Sequence, residues 1–278
     1  MSGVDLHLHS NASDGSLSPE ELVAKAAGLG LKVISLTDHD TISGIVPALT
    51  AAHSFPNLTV IPGIELSTEV SQSEVHVLGY FIDYNDRELL RRLGLMRNAR
   101  VERAQAMIAR LAELGIGIDW SRVCQIADGG SVGRPHLAQA MLEKGYVTKL
   151  GEAFTGYLER GAPAYVERKK FSPAAAVELI SQSKGLPVLA HPLYINDLEP
   201  MIIRLLESGL VGIEVYYKDY TPDEIKRLEE IAARYNLIAT GGTDYHGLDA
   251  QEEVMMGGVD VPLSAVDRLT ALTRTLGD

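Results

Sequence analysis

The segment Val33-Ile34-Ser35-Leu36-Thr37-Asp38-His39-Asp40 changes within a few residues from apolar to acidic and imidazole side chains. A short apolar run followed at once by polar groups is typical of a buried parallel strand whose carboxyl end carries chemistry. Before it, Ser18-Pro19-Glu20-Glu21 combines a helix N-cap, a proline at the first helical position and a capping-box glutamate. We therefore expect a helix from there to about Leu29, ended by Gly30, and then a strand.

The same alternation of strands and helices extends over most of the chain. The predicted strands are Val4–His9, Val33–Thr37, Thr59–Ile64, Val75–Phe81, Leu186–Ala190, Leu210–Val215 and Leu237–Thr240. Start signals at Ser172-Pro173 and Thr221-Pro222 predict two further helices. Strands that alternate with helices favour a largely parallel sheet, and 278 residues suit one α/β barrel with an insertion.

The middle of the chain breaks this alternation. From about residue 86 to 163 the pattern is mostly helical, with a long amphipathic segment at Arg87–Leu114 and shorter helices at Pro135–Lys144 and Leu150–Arg160. We predict that residues 86–163 form a helical insertion, a substrate cap on a barrel made of residues 1–85 and 164–278.

Composition narrows the class of function. The net charge of −12 disfavours the coating of long nucleic acids, although basic residues cluster in Asp86–Arg110 and in Arg168–Lys170. The N-terminus has no basic or apolar leader, and no apolar run approaches the roughly 20 residues that span a bilayer. Cys124 is the single cysteine, which excludes an intrachain disulfide. We expect a cytoplasmic protein without a membrane partner, and the sequence gives no indication of oligomeric state.

Most of the histidines lie in short motifs with aspartate or glutamate. In Asp5-Leu6-His7-Leu8-His9, strand alternation places His7 and His9 on one face while the leucines pack on the other. The other motifs contain Asp14, Thr37-Asp38-His39, Gly63-Ile64-Glu65, His76-Val77-Leu78-Gly79, Ala190-His191-Pro192 and Gly242-Thr243-Asp244-Tyr245-His246. Most of them follow a predicted strand and should meet at one rim of the barrel, where buried charges need a partner or a metal. We therefore predict a multinuclear metal site, with His53 left out as a surface residue at a helix end.

The order of these motifs resembles the polymerase and histidinol phosphatase (PHP) family, which is related to the amidohydrolases. The resemblance covers residues 1–85 and about 164–260, and it implies a distorted seven-stranded β/α barrel with three divalent metal ions. It assigns one ion to His7, His9, Glu65 and Asp244, a second to Glu65, His76 and His191, and a third to Asp14, His39 and His246. Manganese is the ion that the family implies, while iron and zinc also suit these nitrogen and oxygen donors.

Such a site predicts hydrolysis of a phosphoester by a metal-activated hydroxide. The candidate catalytic residues are His191, Asp38 and Asp244. Asp38 and Asp40 are candidates for the general acid, but the favoured interpretation is that they orient His39. The sequence contains no GxSxG motif, no Walker loop and no plausible Cys–His pair, so it gives no support to a covalent route.

The insertion contains candidate substrate-binding residues. Gly133-Arg134-Pro135-His136 predicts a loop that turns into a helix, with Arg134 placed to bind phosphate and His136 one residue further, although a solvated helix start has the same pattern. Arg97, Arg100 and Arg103 share one stripe of a helix. The favoured interpretation of that stripe is a solvated face paired with Glu102 or Glu113, and the alternative is that Arg100 and Arg103 bind substrate.

A phosphate-binding element beside the metals predicts a substrate with two phosphates, and the resemblance implies that this substrate is a small nucleotide. Within the family the chain is most similar to 3′,5′-nucleoside bisphosphate phosphatases, which implies conversion of adenosine 3′,5′-bisphosphate (pAp) to AMP and phosphate. A 5′-to-3′ exoribonuclease acting on short 5′-phosphorylated oligonucleotides remains an alternative. Histidinol phosphate carries a cationic amine, which an arginine-lined insertion fits poorly. An amidohydrolase and a structural PHP module of a polymerase are weaker alternatives.

Overall fold

The computed structural model describes residues 3–70, 73–167, 171–248 and 253–276; the basic run Arg168–Lys170 lies outside the described residues. The strands are β1 Val4–Leu8, β2 Val33–Leu36, β3 Thr59–Val70, β4 Ser73–Tyr80, β5 Leu186–Leu189, β6 Gly212–Tyr217 and β7 Ile238–Gly242. The helices are α1 Pro19–Gly28, α2 Ile45–Ala52, α3 Arg87–Glu113, α4 Trp120–Ile126, α5 Arg134–Glu143, α6 Leu150–Ala153, α7 Pro173–Gln182, α8 Leu198–Glu207, α9 Pro222–Arg234 and α10 Leu263–Leu276. A π-helical segment, Phe154–Leu158, continues α6, and a 3₁₀ turn, Pro192–Tyr194, follows β5.

The strands form one sheet whose spatial order is the order of the chain, β1 to β7. The sheet curls until its two ends meet. The contact between the ends is a hydrogen bond of 2.9 Å from His9 N, just after β1, to Tyr245 O, just after β7. The result is a nearly closed seven-stranded barrel, which confirms the predicted α/β fold class. The sheet is parallel except at β4, which runs antiparallel to both β3 and β5.

Strand β3 is much longer than the sequence predicts. It continues past Ile64 to Val70 and pairs with β4 from Gly63 opposite Tyr80 to Val70 opposite Ser73, so each strand provides the backbone partners of the other. The prediction that Glu65 lies at a strand end is therefore wrong, because Glu65 lies in the middle of β3. The reversed direction of β4 brings His76, which lies opposite Ser67, close to the same rim.

Strand β1 has a polar face and an apolar face. Leu6 packs in a cluster with Leu269 of α10, and Leu8 packs in another with Leu22 of α1. Full burial of each leucine contributes about 1.5–3 kcal/mol, so the strand is held firmly from outside the barrel. Its other face carries Asp5 and His7, both fully buried inside the barrel.

The barrel closes at Gly242, the last residue of β7. A Cβ at this position would lie 2.5 Å from both the backbone nitrogen and the Cβ of His7, closer than two such atoms can approach. Glycine therefore allows β7 to lie directly against β1, which brings Asp244 next to the histidines of β1.

The helix boundaries follow the start signals in the sequence. Ser18 and Thr221 each form the capping box that the sequence predicts, at the starts of α1 and α9. Gly30, which was predicted to end the first helix, adopts a φ of +79°. Each such N-cap typically stabilises its helix by about 1 kcal/mol.

Residues 86–163, all of which the structure describes, contain α3 to α6 and the π-helical segment but no strand. These helices share an apolar cluster of their own, whose buried members run from Ala104 to Ala164. The first half of α3 instead contributes Leu89 and Leu93 to a cluster of the barrel. Helix α3 thus connects the two cores, and the domain boundaries stay a prediction.

None of the helices in the four described ranges combines the length and the apolar character needed to cross a membrane.

Candidate metal centre

The side chains that the sequence predicts as metal ligands meet at one rim of the barrel. His7 and His9 come from β1 and the residue after it, Glu65 from β3 and His76 from β4, and the others follow strand ends or lie in the loop after β1. Glu65 lies at the centre of the group. Its Oε2 is 3.1–3.3 Å from nitrogens of His7, His9 and His39, and its Oε1 is 2.9 Å from His76 Nδ1 and 3.2 Å from His191 Nε2.

The first ligand group contains His7, His9, Glu65 and Asp244, the set that the family resemblance implies. Asp244 Oδ1 lies 3.3 Å from His7 Nε2 and 3.1 Å from His9 Nε2. Two donors that each lie about 2.1 Å from one ion at right angles are about 3 Å apart, so these separations have the size that a single cation requires.

Two further ligand groups share residues with the first one. One contains His9, Asp14, His39 and His246, and the other contains His39, Glu65 and His76. In the group with Asp14, Asp14 Oδ1 lies 3.5 Å from His246 Nε2, and Asp14 Oδ2 lies 3.9 Å from His39 Nε2. The groups differ from the expected sets by adding His9 to one and by containing His39 in place of His191 in the other, although His191 Nε2 lies 3.2 Å from Glu65 Oε1.

Several buried atoms of this rim lack a hydrogen-bond partner among the described residues. They are His7 Nε2, His9 Nδ1 and Nε2, Asp14 Oδ1 and Glu65 Oε2. A buried polar atom without a partner costs about 1–3 kcal/mol, and here such atoms converge from different strands. Imidazole nitrogens and carboxylate oxygens are donors that divalent transition metals bind, so the residues fit a metal centre.

The electrostatics of the rim support the same conclusion. Burial raises the pKa of Glu65, but the neighbouring His39 and His7 outweigh it and hold that pKa well below its usual range. Burial lowers the pKa of His9, but the carboxylates of Asp244 and Glu65 raise it to about 10. The centre therefore attracts positive charge, whether a proton or a metal ion.

Glu214 in β6 is a buried residue that sequence reasoning missed. Its Oε1 accepts a hydrogen bond from His7 Nδ1 at 2.9 Å, and its Oε2 accepts one from His191 N at 2.7 Å. With Nδ1 occupied in this way, His7 is free to present Nε2 to the ligand group. The sequence feature that could have identified Glu214 is its charge, since the rest of the strand Gly212–Tyr217 is uncharged.

Two buried aspartates hold the loops that carry Asp14 and Asp244. Asp5 accepts hydrogen bonds from Thr243 N at 3.0 Å and Thr243 Oγ1 at 2.7 Å. Asp38 accepts from Ser10 N at 2.8 Å, Ser10 Oγ at 2.7 Å and Ser13 Oγ at 2.7 Å. Both aspartates therefore orient metal-binding loops from behind.

These contacts correct the expected partner of Asp38, which binds the serines of the Ser10–Asp14 loop and not His39. Asp38 is 2% exposed, and its accepted hydrogen bonds favour the orienting interpretation over the general-acid one. Asp40 accepts from Ser67 N at 2.8 Å and from Arg100 Nε at 2.6 Å, so it connects the rim with the insertion.

Tyr217 and Lys218 follow each other at the end of β6 and both bind Asp244. Tyr217 donates its hydroxyl to Asp244 Oδ2 at 2.8 Å, and Lys218 Nζ donates to Asp244 O at 3.0 Å. Burial and the nearby Asp244 raise the pKa of Tyr217 far above its usual value, so it remains a donor. Asp244 Oδ1 is left for the histidines. Only the position at a strand end could have indicated these two residues.

A cavity of about 220 Å³ lies between the rim and the insertion. Asp14, His39, His76 and His246 line one part of it, and Arg100, Arg103 and Arg134 line another. Arg134 Nη2 donates to Glu74 Oε2 at 2.6 Å, and Arg103 Nε donates to Val166 O at 2.7 Å. Arg103 Nη2 is buried and makes no hydrogen bond to any described residue.

The structure corrects the favoured interpretation of the arginine stripe. The side chains of Arg100 and Arg103 are each 10% exposed, and they pair with Asp40 and Glu74. Helix α3 turns this part of the stripe towards the barrel, so it is not a solvated face there, whereas Arg97 is exposed.

Arg134, His136 and His53 are the remaining residues for which the sequence predicts a position or a role. Arg134 begins α5 and lines the cavity, so its helix start is not simply solvated. His136 is 7% exposed. Its Nδ1 accepts a hydrogen bond from Gly133 N at 2.9 Å, which holds the loop before α5 against the start of that helix. It is absent from the described lining of the cavity, and its contact with substrate stays a prediction. His53 is an exposed residue at the end of α2, as predicted.

A family model for the PHP domain matches residues 5–160. The chain belongs to the PHP domain family. It is 33% identical over 247 residues to 5′-3′ exoribonuclease Rnm of Escherichia coli, which covers 87% of this chain and 84% of that protein.

Two further proteins are similar to this PHP protein, one in sequence and one in fold. A 3′,5′-nucleoside bisphosphate phosphatase of Chromobacterium violaceum is 32% identical over 251 residues, 88% of each chain. A crystal structure of a candidate metal-dependent phosphoesterase from Bifidobacterium adolescentis superposes with a TM-score of 0.89 at 27% identity, over 97% of this chain and 96% of that one. The PHP protein is a metal-dependent phosphoesterase.

Proposed function

We propose that this phosphoesterase hydrolyses the 3′-phosphate of nucleoside 3′,5′-bisphosphates, for example pAp to AMP and phosphate. The observation that carries the proposal is one cavity lined by the ligand rim and by Arg100, Arg103 and Arg134 of the insertion. A rim for one phosphate and a cluster of guanidinium groups for another suit a substrate with two phosphates. The name of the C. violaceum relative supports the same substrate class.

The proposed metal content is three divalent cations, with manganese as the family-based choice. Support comes from the ligand groups, which share His9, His39 and Glu65 and offer only nitrogen and oxygen donors. When bound, such cations would lower the pKa of an attacking water and offset the negative charge on the phosphoryl oxygens.

The insertion, residues 86–163, acts in this proposal as the cap that holds the 5′-phosphate. Arg103 offers a buried Nη2 without a hydrogen bond to any described residue, which makes it a donor for a phosphate oxygen. Arg134 lies beside it, held by Glu74 at 2.6 Å. Arg100 is fixed by Asp40 and Ser67 and completes the positive side of the cavity.

The rim residues hold the 3′-phosphate and the groups around it. In this proposal His191, which is 16% exposed and 3.2 Å from Glu65, and Asp244 contact the reacting phosphate. Asp244 is oriented by the hydroxyl of Tyr217. Asp38 acts through the Ser10–Asp14 loop, as a positioning residue.

Phosphate release with Mn²⁺ from pAp, AMP and histidinol phosphate tests this proposal. We expect pAp to be the best of the three, because AMP lacks the second phosphate and the amine of histidinol phosphate is repelled by the arginines. Arg134→Ala should raise KM for pAp by roughly 10- to 100-fold, the loss of one charge-assisted hydrogen bond. The matched control is Arg97→Ala, an exposed arginine of the same insertion. A higher kcat/KM for AMP or histidinol phosphate would contradict the proposal.

A 5′-to-3′ exoribonuclease acting on short oligonucleotides is the second candidate. The E. coli relative with that name is as similar as the bisphosphate phosphatase. The same arginines would bind the 5′-phosphate of an RNA end. Cleavage of a 5′-phosphorylated trinucleotide, and not of its 5′-hydroxyl form, would support this activity.

The cytoplasm is the proposed compartment. The single cysteine, Cys124, is exposed and free, which suits a reducing environment.

A further inference from the structure

Two tyrosines lie beside His191, and a third packs against them, on a part of the rim outside the described lining of the cavity. Tyr194 and Tyr217 have ring centroids 6.0 Å and 5.8 Å from the ring of His191. Tyr220 lies 5.1 Å from Tyr217. None of these tyrosines belongs to the described lining of the cavity that holds Arg100, Arg103 and Arg134. The ligand rim therefore has an aromatic border as well as a basic one.

Tyr194 is the exposed member of this border. It is 55% exposed, whereas Tyr217 is 6% exposed. Its position is fixed, because its hydroxyl donates to Asp219 Oδ2 at 3.1 Å and its ring packs against Tyr217 at 6.1 Å with an interplanar angle of 82°. The 3₁₀ turn that carries it is also fixed, since Leu193 N donates to the Tyr220 hydroxyl oxygen at 3.1 Å. A rigid, half-exposed ring is a ready surface for stacking.

We propose that Tyr194 stacks against the nucleobase that follows the scissile phosphate in a short 5′-phosphorylated oligonucleotide. This inference rests on the second candidate function, cleavage of a short oligonucleotide, and takes the direction of the substrate from the proposed positions of its two phosphates. With the 5′-phosphate on the arginines of the cavity and the scissile phosphate on the rim, the next nucleotide leaves the rim on a side away from the cavity. His191 and Tyr194 form the border that it meets there.

The charges around Tyr194 favour a base over a phosphate at that ring. Asp219 lies at the tyrosine hydroxyl, so a phosphate placed there would be repelled. Lys218 follows Tyr217 in the chain; its Nζ lies 5.5 Å from the centroid of Tyr217 and donates to Asp244 O at 3.0 Å, and it adds a positive charge near the backbone of the same nucleotide. In a protein with a net charge of −12, such a local cation matters for binding a polyanion.

Tyr194 would then distinguish the two candidate substrates. A nucleoside bisphosphate ends at the phosphate on the rim and does not extend to the tyrosine. A dinucleotide or longer oligonucleotide places a base there, and stacking on an aromatic ring depends little on which base it is.

The test compares Tyr194→Ala and Tyr194→Phe with the wild-type enzyme on pAp and on a 5′-phosphorylated dinucleotide. We expect Tyr194→Ala to raise KM for the dinucleotide by about 5- to 150-fold, the range of one lost base stack, and to leave pAp hydrolysis unchanged. Tyr194→Phe should retain most of the dinucleotide affinity. A dinucleotide that lacks its second base should bind the wild type as weakly as the intact one binds Tyr194→Ala. The pAp reaction shows whether the variants are folded.

A binding measurement separates this inference from the proposed function. Fluorescence anisotropy is recorded with the Mn²⁺-loaded protein and a 3′-labelled, 5′-phosphorylated trinucleotide whose linkages are non-hydrolysable phosphonates, so no turnover occurs. Weaker binding by Tyr194→Ala, with no change for the exposed Tyr146→Ala in the insertion, supports stacking even if the wild type hydrolyses none of the nucleotides. Equal binding by wild type and Tyr194→Ala, or an equal loss for pAp and the dinucleotide, would overturn it.

Discussion

Replacement of Glu214 by glutamine should weaken metal binding although no ligand is removed. Both oxygens of Glu214 act as acceptors, from His7 Nδ1 at 2.9 Å and from His191 N at 2.7 Å. A glutamine offers one oxygen and one NH₂ group, so it can satisfy only one of these donors. The NH₂ group must face the other donor inside a fully buried site.

Each of the two orientations of the amide has a cost. If the NH₂ group faces His7, the imidazole must move its proton to Nε2, the nitrogen that lies 3.3 Å from Glu65 and from Asp244. If it faces His191, a buried backbone N–H is left unpaired. Either outcome costs about 1–3 kcal/mol, which corresponds to a loss of about 5- to 150-fold in metal affinity. This range overlaps the 10- to 100-fold typical of residues that orient metal ligands.

Mn²⁺ titration by calorimetry, with the metal content measured after dialysis, would determine the change. Glu229→Gln is the matched control, because Glu229 is exposed and accepts one hydrogen bond, from the Tyr216 hydroxyl. A folded Glu214→Gln protein that binds Mn²⁺ within twofold of the wild type would refute the reasoning that Glu214 fixes the ligands.

Three further predictions follow from single contacts. Glu74→Gln should lower KM for pAp several-fold, because Glu74 accepts a hydrogen bond from Arg134 at 2.6 Å and places a negative charge in the cavity. Steady-state kinetics would measure this decrease, and a raised KM would contradict the prediction. Metal binding should release protons near pH 8. Burial lowers the pKa of His9, but two neighbouring carboxylates raise it to about 10, so the imidazole of the metal-free protein is charged at about pH 8 and must lose its proton when a cation binds. Affinity should then rise with pH up to about 10, and a titration in weak buffer without proton release would exclude this. Leu6→Ala should lower the free energy of unfolding by about 2–5 kcal/mol, since Leu6 is fully buried. Urea denaturation measures this loss. A change below about 1 kcal/mol would show that the neighbouring side chains fill the space left by Leu6.

The sequence predicted those features that depend on neighbouring residues. The seven strands and the helix starts at Ser18 and Thr221 could be predicted, because strand alternation and capping need only a few consecutive side chains. The histidine and carboxylate motifs could be found for the same reason, since most of them lie in or beside a strand.

The sequence could not predict which distant groups bind each other. The apolar run of β4 has the same pattern in either direction, so its antiparallel course, which brings His76 to the rim, depends on pairing with β3 and β5. The sequence predicts a solvated face for Arg100 and Arg103, because only the folded insertion turns this part of α3 towards the barrel.

Local patterning thus determined the fold class and which side chains gather at the rim. Tertiary structure decided how they are oriented: Glu214 binds His7 from 207 residues away, and Asp40 binds Arg100 across 60 residues. Hydrogen bonds of this kind depend on the closure of the barrel and the placement of α3, because no local preference of the chain brings such partners within 3 Å of each other.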